Sequence, residues 1–269
     1  MLGSSRESLS SCRDGLDARR QDAAFSGLSG ELFAVADLLD RETLLRSALA
    51  DSGQLSSVRE ALVRDVLAGK VSALAVDIVL LAVTQRWSSD TDLVLGLEQL
   101  ADQAAFTVAE ANGTLDATEE ELFLFGRALD ASPSLQMALT DPAQSATTKA
   151  AIVRDLLSGR ATEATSEVLQ YAVGHLHGRR IDSVVDELCA LAAHQRERVV
   201  AEVRVAAPLE DAQARRLAEL LGRIKGRTVR LNVAVDPTVI GGVHVTIGDE
   251  VIDGTVASRM EQARRAVLG

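Results

Sequence analysis

ELFAVADLLD, residues 31–40, returns as ELFLFGRALD at residues 121–130, and REALVRDVLAG at 59–69 returns as KAAIVRDLLSG at 149–159. The offset is ninety residues both times. Between Glu31 and Gly69, 16 of 39 positions equal their partners without a gap, where a shared Ala and Leu bias alone gives about four. The pairs include Glu31/Glu121, Phe33/Phe123, Leu39/Leu129, Asp65/Asp155 and Gly69/Gly159. An internal duplication therefore organises most of the chain.

Each copy reads as several short helices followed by a longer one. In the first copy Val76, Val79, Leu80 and Val83 fall at i, i+3, i+4 and i+7 on one helical face. The matching stripe in the second copy is Val168, Leu169, Ala172, Val173 and Leu176. Ser57 with Glu60, and Thr118 with Glu121, have the S/T-x-x-E spacing of a capping box. Gly69 and Gly159 stand where a helix must stop, as residues able to take a left-handed C-cap. The longer closing helices carry Leu93, Leu97, Leu100 and Ala104 in one copy, and Ile181, Val184, Leu188 and Leu191 in the other. The Asn112-Gly113 pair marks a joint, which predicts a polar N-terminal tail with a first helical bundle over 1–112 and a second bundle over 113–198.

After about residue 198 the period changes. Val199, Ala201, Val203 and Val205 alternate with Val200, Glu202 and Arg204, as in a half-buried strand. Pro208 opens a helix bearing Leu217, Leu220, Leu221 and Ile224, and two further alternating runs follow, Val229 to Val235 and Val243 to Ile247. A last helix carries Val256, Met260, Ala263 and Val267 on one side. The expected fold class is mainly α: two tandem helical-bundle repeats followed by a small β-α-β-β-α domain over 199–269.

Composition narrows the function. A formal charge of -11 repels phosphate backbones and anionic headgroups, and no basic stripe interleaved with aromatics exists, so nucleic acid is not expected as a partner. The longest nearly uncharged run, Val71 to Gln85, is interrupted by Asp77 and is shorter than the roughly 20 residues of a spanning helix, so direct membrane insertion is not expected either. The first residues, MLGSSRESLSSCRDGLDARR, lack an apolar secretory core and point to the cytoplasm. Cys12 and Cys189 have no metal or redox spacing and read as unpaired thiols.

Neither a catalytic set nor a metal set emerges. His175 and His177 lie two apart near a helix end without partners at ligand spacing. Asp90 and Asp92 read as a helix N-terminus, and Trp87, the only Trp, as core or inter-domain packing with a partner hot spot as the other possibility. Gly241, Gly242 and Gly254 could bind phosphate through backbone amides, but no phosphate-loop or dinucleotide pattern accompanies them, and tight turns account for them better. Asp236, Asp249 and Asp253 fit turn and cap roles. No cofactor is expected.

The run DPTVIGGVHVTIGDEVIDGTVASRMEQARRAVLG, from Asp236 onward, resembles the C-terminal signature of the ATP synthase delta subunit family. Asp236, Pro237, Ile240, Gly241, Gly242, Gly248, Asp249, Val251, Ile252, Asp253, Gly254 and Arg259 fall on that signature, with Thr255 in place of the usual Ser and Met260 in place of the usual Leu. The segment EVRVAAPLEDAQARRLAELL is similar to the family's strand-loop-helix entry, and QAAF at Gln103 to its usual start. The extra first copy resembles the longer actinobacterial forms.

The resemblance implies a non-catalytic stator protein on the cytoplasmic face of the cell membrane, peripheral to it. Such a protein supports proton-driven ATP synthesis and has no catalytic, cofactor or metal residues of its own. Its implied partners are the N-terminal segments of the synthase alpha subunits, held by the bundles along the two stripes, and the stalk b subunit, held by the C-terminal domain. Rival readings are a nucleotide-binding or enzymatic protein using the glycine-rich unit, and a generic helical scaffold.

Overall fold

The structure, a computed structural model, describes residues 3–157, 159–197, 199–225, 229–236, 239, 241–247 and 250–255. The described residues are mainly helical, with a small four-stranded mixed sheet near the C-terminus. The chain divides into two units, Met1–Gln195 and Arg196–Gly269. The change of hydrophobic period falls close to that division.

The first unit begins with α1 (Ser4–Asp17), where the sequence suggested a polar tail. Leu9, Cys12 and Leu16 recur at helical spacing and are buried, and α1 packs along α5 (Ala73–Thr84) and α6 (Asp90–Ala111). After a 3-10 turn at Ala23–Gly27 come α2 (Leu28–Arg41), α3 (Thr43–Ala50) and α4 (Ser56–Leu67), ahead of α5 and α6. The succession continues with α7 (Leu115–Ala131), α8 (Pro133–Thr140), α9 (Ala146–Leu157), α10 (Glu163–Ala172) and α11 (Ile181–Glu197). Gly69 and Gly159 close α4 and α9 with φ of 67° and 65°, in the left-handed region expected for a C-cap.

The caps themselves differ from expectation. Leu55 precedes α4 and gives no side-chain cap, while Thr118 lies inside α7 and donates to the Thr114 carbonyl. A Thr one turn into a helix bonds back to the carbonyl four residues earlier, so the proposed S/T-x-x-E boxes do not form. The repeated glutamates reach across the bundle. Glu31 accepts from Ser72 N at 2.8 Å, and Glu121 accepts from Thr162 N at 2.9 Å, so each satisfies an open amide before α5 or α10. The cap of α6 is Ser89, which accepts from Asp92 N, while Asp90 takes Arg46 at 2.9 Å.

Residues 1–112 and 113–198 share one hydrophobic cluster. The reason is α6, which packs against α1, α2, α3, α5, α7 and α10. Its apolar residues occur on every side, Leu93, Val94, Leu97, Leu100, Ala104 and Phe106 all being buried, and a helix apolar all round belongs in the middle of a bundle.

In the second unit the sheet order is β2-β1-β3-β4, from β1 (Val199–Val205), β2 (Val229–Val235), β3 (Val243–Ile247) and β4 (Glu250–Asp253). β1 runs parallel to β2 and antiparallel to β3, and β3 pairs antiparallel with β4. The β1–β2 crossover is α12 (Asp211–Lys225), which starts after Pro208 rather than on it and packs on β2. Ala201, Val203 and Val205 are buried with Leu221, Val229, Val245 and Ile247, so the alternation of β1 reads its inward face correctly. Leu220 and Ile224 of α12 instead face solvent. β4 is a strand that the β-α-β-β-α reading lacked, and the last expected helix lies outside the described residues.

Candidate functional site

The two apolar stripes occupy the interior of the first unit. Val79, Leu80 and Val83, and Val168, Leu169 and Val173, are buried, while Val76, Ala172 and Leu176 are partly buried against the same cluster. α5 is covered by α1 and α4, and α10 by α6 and α9, which leaves the stripes as the floor of the bundle rather than the walls of an open groove. Ala172 lines a cavity that opens to the surface.

That cavity is a cleft of about 320 Å³ between α1, α6, α10, α11 and the α10–α11 connector. Leu95, Ala172, Val184, Leu188 and Leu191 form its apolar sides, and Arg13, Glu98, Asp102, Arg179 and Glu187 supply charge. The connector folds over α6 because a polar network fixes it there. Buried Glu98 accepts from His177 Nε2 at 2.7 Å and from Tyr171 Oη at 3.1 Å, with the Arg179 guanidinium 3.8 Å away. His175 pairs with Asp37 at 3.2 Å, and its ring stacks on Tyr171 at 4.0 Å, which stacks in turn on Phe33 at 4.1 Å. His177 sits at φ 49°, a strained conformation that its bond to Glu98 offsets.

Electrostatics follow from this packing. The hydrogen bond that His177 donates to Glu98 raises the imidazole above its ordinary value, against a smaller opposing effect of burial. Burial, followed by the negative charge of Glu98, raises the Asp102 carboxyl well above the usual carboxylate range. Burial does the same to the Tyr171 phenol and pushes the Cys12 thiol up to about 12, so Cys12 is held as an unreactive thiol.

The His177 shift has a measurable consequence. A folded-state imidazole raised above its unfolded value stabilises fully below about 6.5 and loses that contribution as pH rises through the raised value. A His177→Gln variant should melt below the parent at acidic pH, and the gap should close as pH rises. A gap that stays constant across this window would mean that His177 acts by packing alone.

The signature residues lie in the second unit. Asp236 N donates to the Val205 carbonyl at 2.9 Å, and Gly241 and Gly242 bend the chain into β3. Gly254 N returns to the Val243 carbonyl at 2.9 Å, and Asp253 accepts from Thr255 N at 2.9 Å. Val251 projects outward from β4, and Ile252 packs on the sheet's core. Pro237, Ile240, Gly248, Asp249 and Arg259 lie outside the described residues.

Trp87 is core, with Nε1 donating to the Ala82 carbonyl at 2.8 Å. Among the described residues no group of three or more His, Cys, Asp or Glu side chains is arranged to hold a metal ion, and no helix is long and apolar enough to cross a membrane. The cleft itself went unread in the sequence, as did the exposed Phe123 and Leu124 of α7. Phe123 stands at the position equivalent to Phe33, so only the tertiary cover of Phe33 by Tyr171 separates the two.

Comparison with known proteins is consistent along the chain. A family model described as ATP synthase delta (OSCP) subunit matches residues 100–267. An "ATP synthase subunit delta" of Streptomyces griseus is 40% identical over 100% of both chains. One of Streptomyces avermitilis is 41% identical over 98% of this chain and 97% of its own, and one of Kineococcus radiotolerans is 38% identical over 99% and 98%.

Proposed function

Since the chain belongs to the ATP synthase delta (OSCP) family, we propose that it ties the catalytic head of a rotary ATP synthase to the peripheral stalk. The observation that carries this reading is the match along the whole chain, first copy included. A stator protein is a structural subunit, not an enzyme. Its task is to resist the torque that the turning shaft puts on the head, and static contacts on a rigid body achieve that without chemistry. The shared hydrophobic cluster of the first unit supplies such a body.

In finer detail, the two halves of the first unit are duplicate modules that meet the N-terminal segments of the alpha subunits. The equal succession of helices and the paired Glu31–Ser72 and Glu121–Thr162 contacts support the duplication. The cleft beside α10 and α11 is where an amphipathic segment docks. It combines apolar sides with a charged rim, the chemistry that a helix lying along a groove requires. The second unit holds the distal end of the stalk b subunit, and the protein sits peripherally on the cytoplasmic face of the membrane, supporting proton-driven ATP synthesis.

The test is binding of a peptide copying the alpha-subunit N-terminal segment to the full chain. Ala172→Arg fills the cleft and should weaken binding about tenfold or more, while the exposed α7 change Leu124→Asp should not. The opposite pattern, in variants that keep the parent's melting curve, would move the head contact to α7.

A further inference from the structure

We propose that Asp102 is the specificity-determining anchor of the cleft, and that it pairs with a lysine or arginine carried on the docking face of the bound helix. This rests on the reading that the cleft receives such a helix.

Asp102 lies on α6 and lines the cleft, yet among the described residues it makes no hydrogen bond and no ion pair. The other charges around it are already engaged. Arg179 Nη1 is 2.9 Å from Glu187 on α11, and its Nη2 is 3.8 Å from Glu98. Arg13 of α1 donates to Gln99 at 2.9 Å. Glu167 of α10 accepts from Ser29.

Asp102 thus faces negative charge from Glu98, Glu167 and Glu187, opposed by Arg179, whose guanidinium is committed to Glu187 and Glu98, while Arg13 on the far wall is bonded to Gln99. Tyr171, His175 and His194 complete the titratable lining, Tyr171 being bonded to Glu98 and His175 paired with Asp37. A partly buried carboxylate without a partner either holds its proton or waits for a cation. Burial and the surrounding carboxylates raise the Asp102 carboxyl, and a basic side chain entering the cleft supplies the opposite charge that it lacks.

Geometry and charge together define the occupant. Leu95, Val184, Leu188 and Leu191 line the cleft together with Asp102, so the ligand is an amphipathic helix with one cation set within its apolar face. A wholly apolar helix leaves Asp102 buried without compensation, and an acidic one adds repulsion. The anchor selects among helices of similar hydrophobicity.

The experiment uses the full chain, a peptide copying the alpha-subunit N-terminal segment, and peptides in which each basic residue is replaced singly by norleucine. One replacement should cost about thirtyfold in affinity for the parent protein and nothing for Asp102→Asn. Asp102→Leu should reverse the preference in favour of the norleucine peptide, and thermal melts establish that both variants fold.

If the unmodified peptide fails to bind the parent, the docking reading falls, and this inference with it. If it binds but every peptide treats the parent and Asp102→Asn alike, docking stands and the anchor is refuted.

Discussion

Gly242→Val is expected to abolish the fold of the C-terminal unit while leaving the helical unit's melting transition in place. Gly242 sits at φ 83°, where a β-branched residue is strained whatever the space around it. Space is also lacking: a Cβ there would lie 2.4 Å from the Gly254 carbonyl oxygen and 2.9 Å from the Thr255 Cα. Both neighbours are backbone. Gly254 is held by its amide's bond to the Val243 carbonyl, so relief requires opening the start of β3 against the end of β4. Strain and clash together should cost about 3 kcal/mol or more, a large share of a small domain's stability. Calorimetry of the full chain should show the second unit's transition lost or much lowered. An unchanged profile would show that the bend relaxes without disturbing the sheet.

Trp87→Ala should be the most damaging truncation in the helical unit. Trp87 is buried between the end of α5 and α6, and its ring occupies the space left by Gly96, where a Cβ would come 2.4 Å from the indole Cη2. Removing it opens a cavity and takes the indole donor from the Ala82 carbonyl, which keeps only the Gln85 amide, at a cost of about 3–5 kcal/mol. The pairing gives a sharper test. Gly96→Ala should destabilise the parent yet be nearly neutral after Trp87→Ala, because the clash has gone. Additive effects in a double-mutant cycle read by circular dichroism would mean that the contact is not the source of either cost.

These two positions also illustrate how far the sequence could be read. A glycine pair between two alternating runs announces a turn, and the lone Trp on an apolar boundary announces core, since both signals are local. Alternation likewise gave the inward face of β1. β4 escaped because it is four residues long and Val251 points outward, so no run of alternation exists to detect. α1 escaped because Leu9, Cys12 and Leu16 are sparse among polar residues, and only α5 and α6 make their spacing meaningful.

The functional site was less legible for a related reason. Apolar stripes reveal that a helix buries one face, not what covers it, and here the covering elements belong to the same chain. The cleft draws on α1, α6, α10 and α11, so its members are far apart in sequence. Glu121 shows the same limit: its spacing from Thr118 suggested a local cap, but its partner is Thr162, forty-one residues on.

The central claim is that this protein couples head to stalk by static contact. The most direct measurement is ATP-driven proton uptake in vesicles bearing the membrane sector and stalk, supplied with catalytic head in the presence or absence of the full chain. The account predicts that the head binds firmly and pumps only when the chain is present, while ATP hydrolysis by the free head is unaffected by it. Equal pumping without the chain, or hydrolysis that depends on it, would contradict the account.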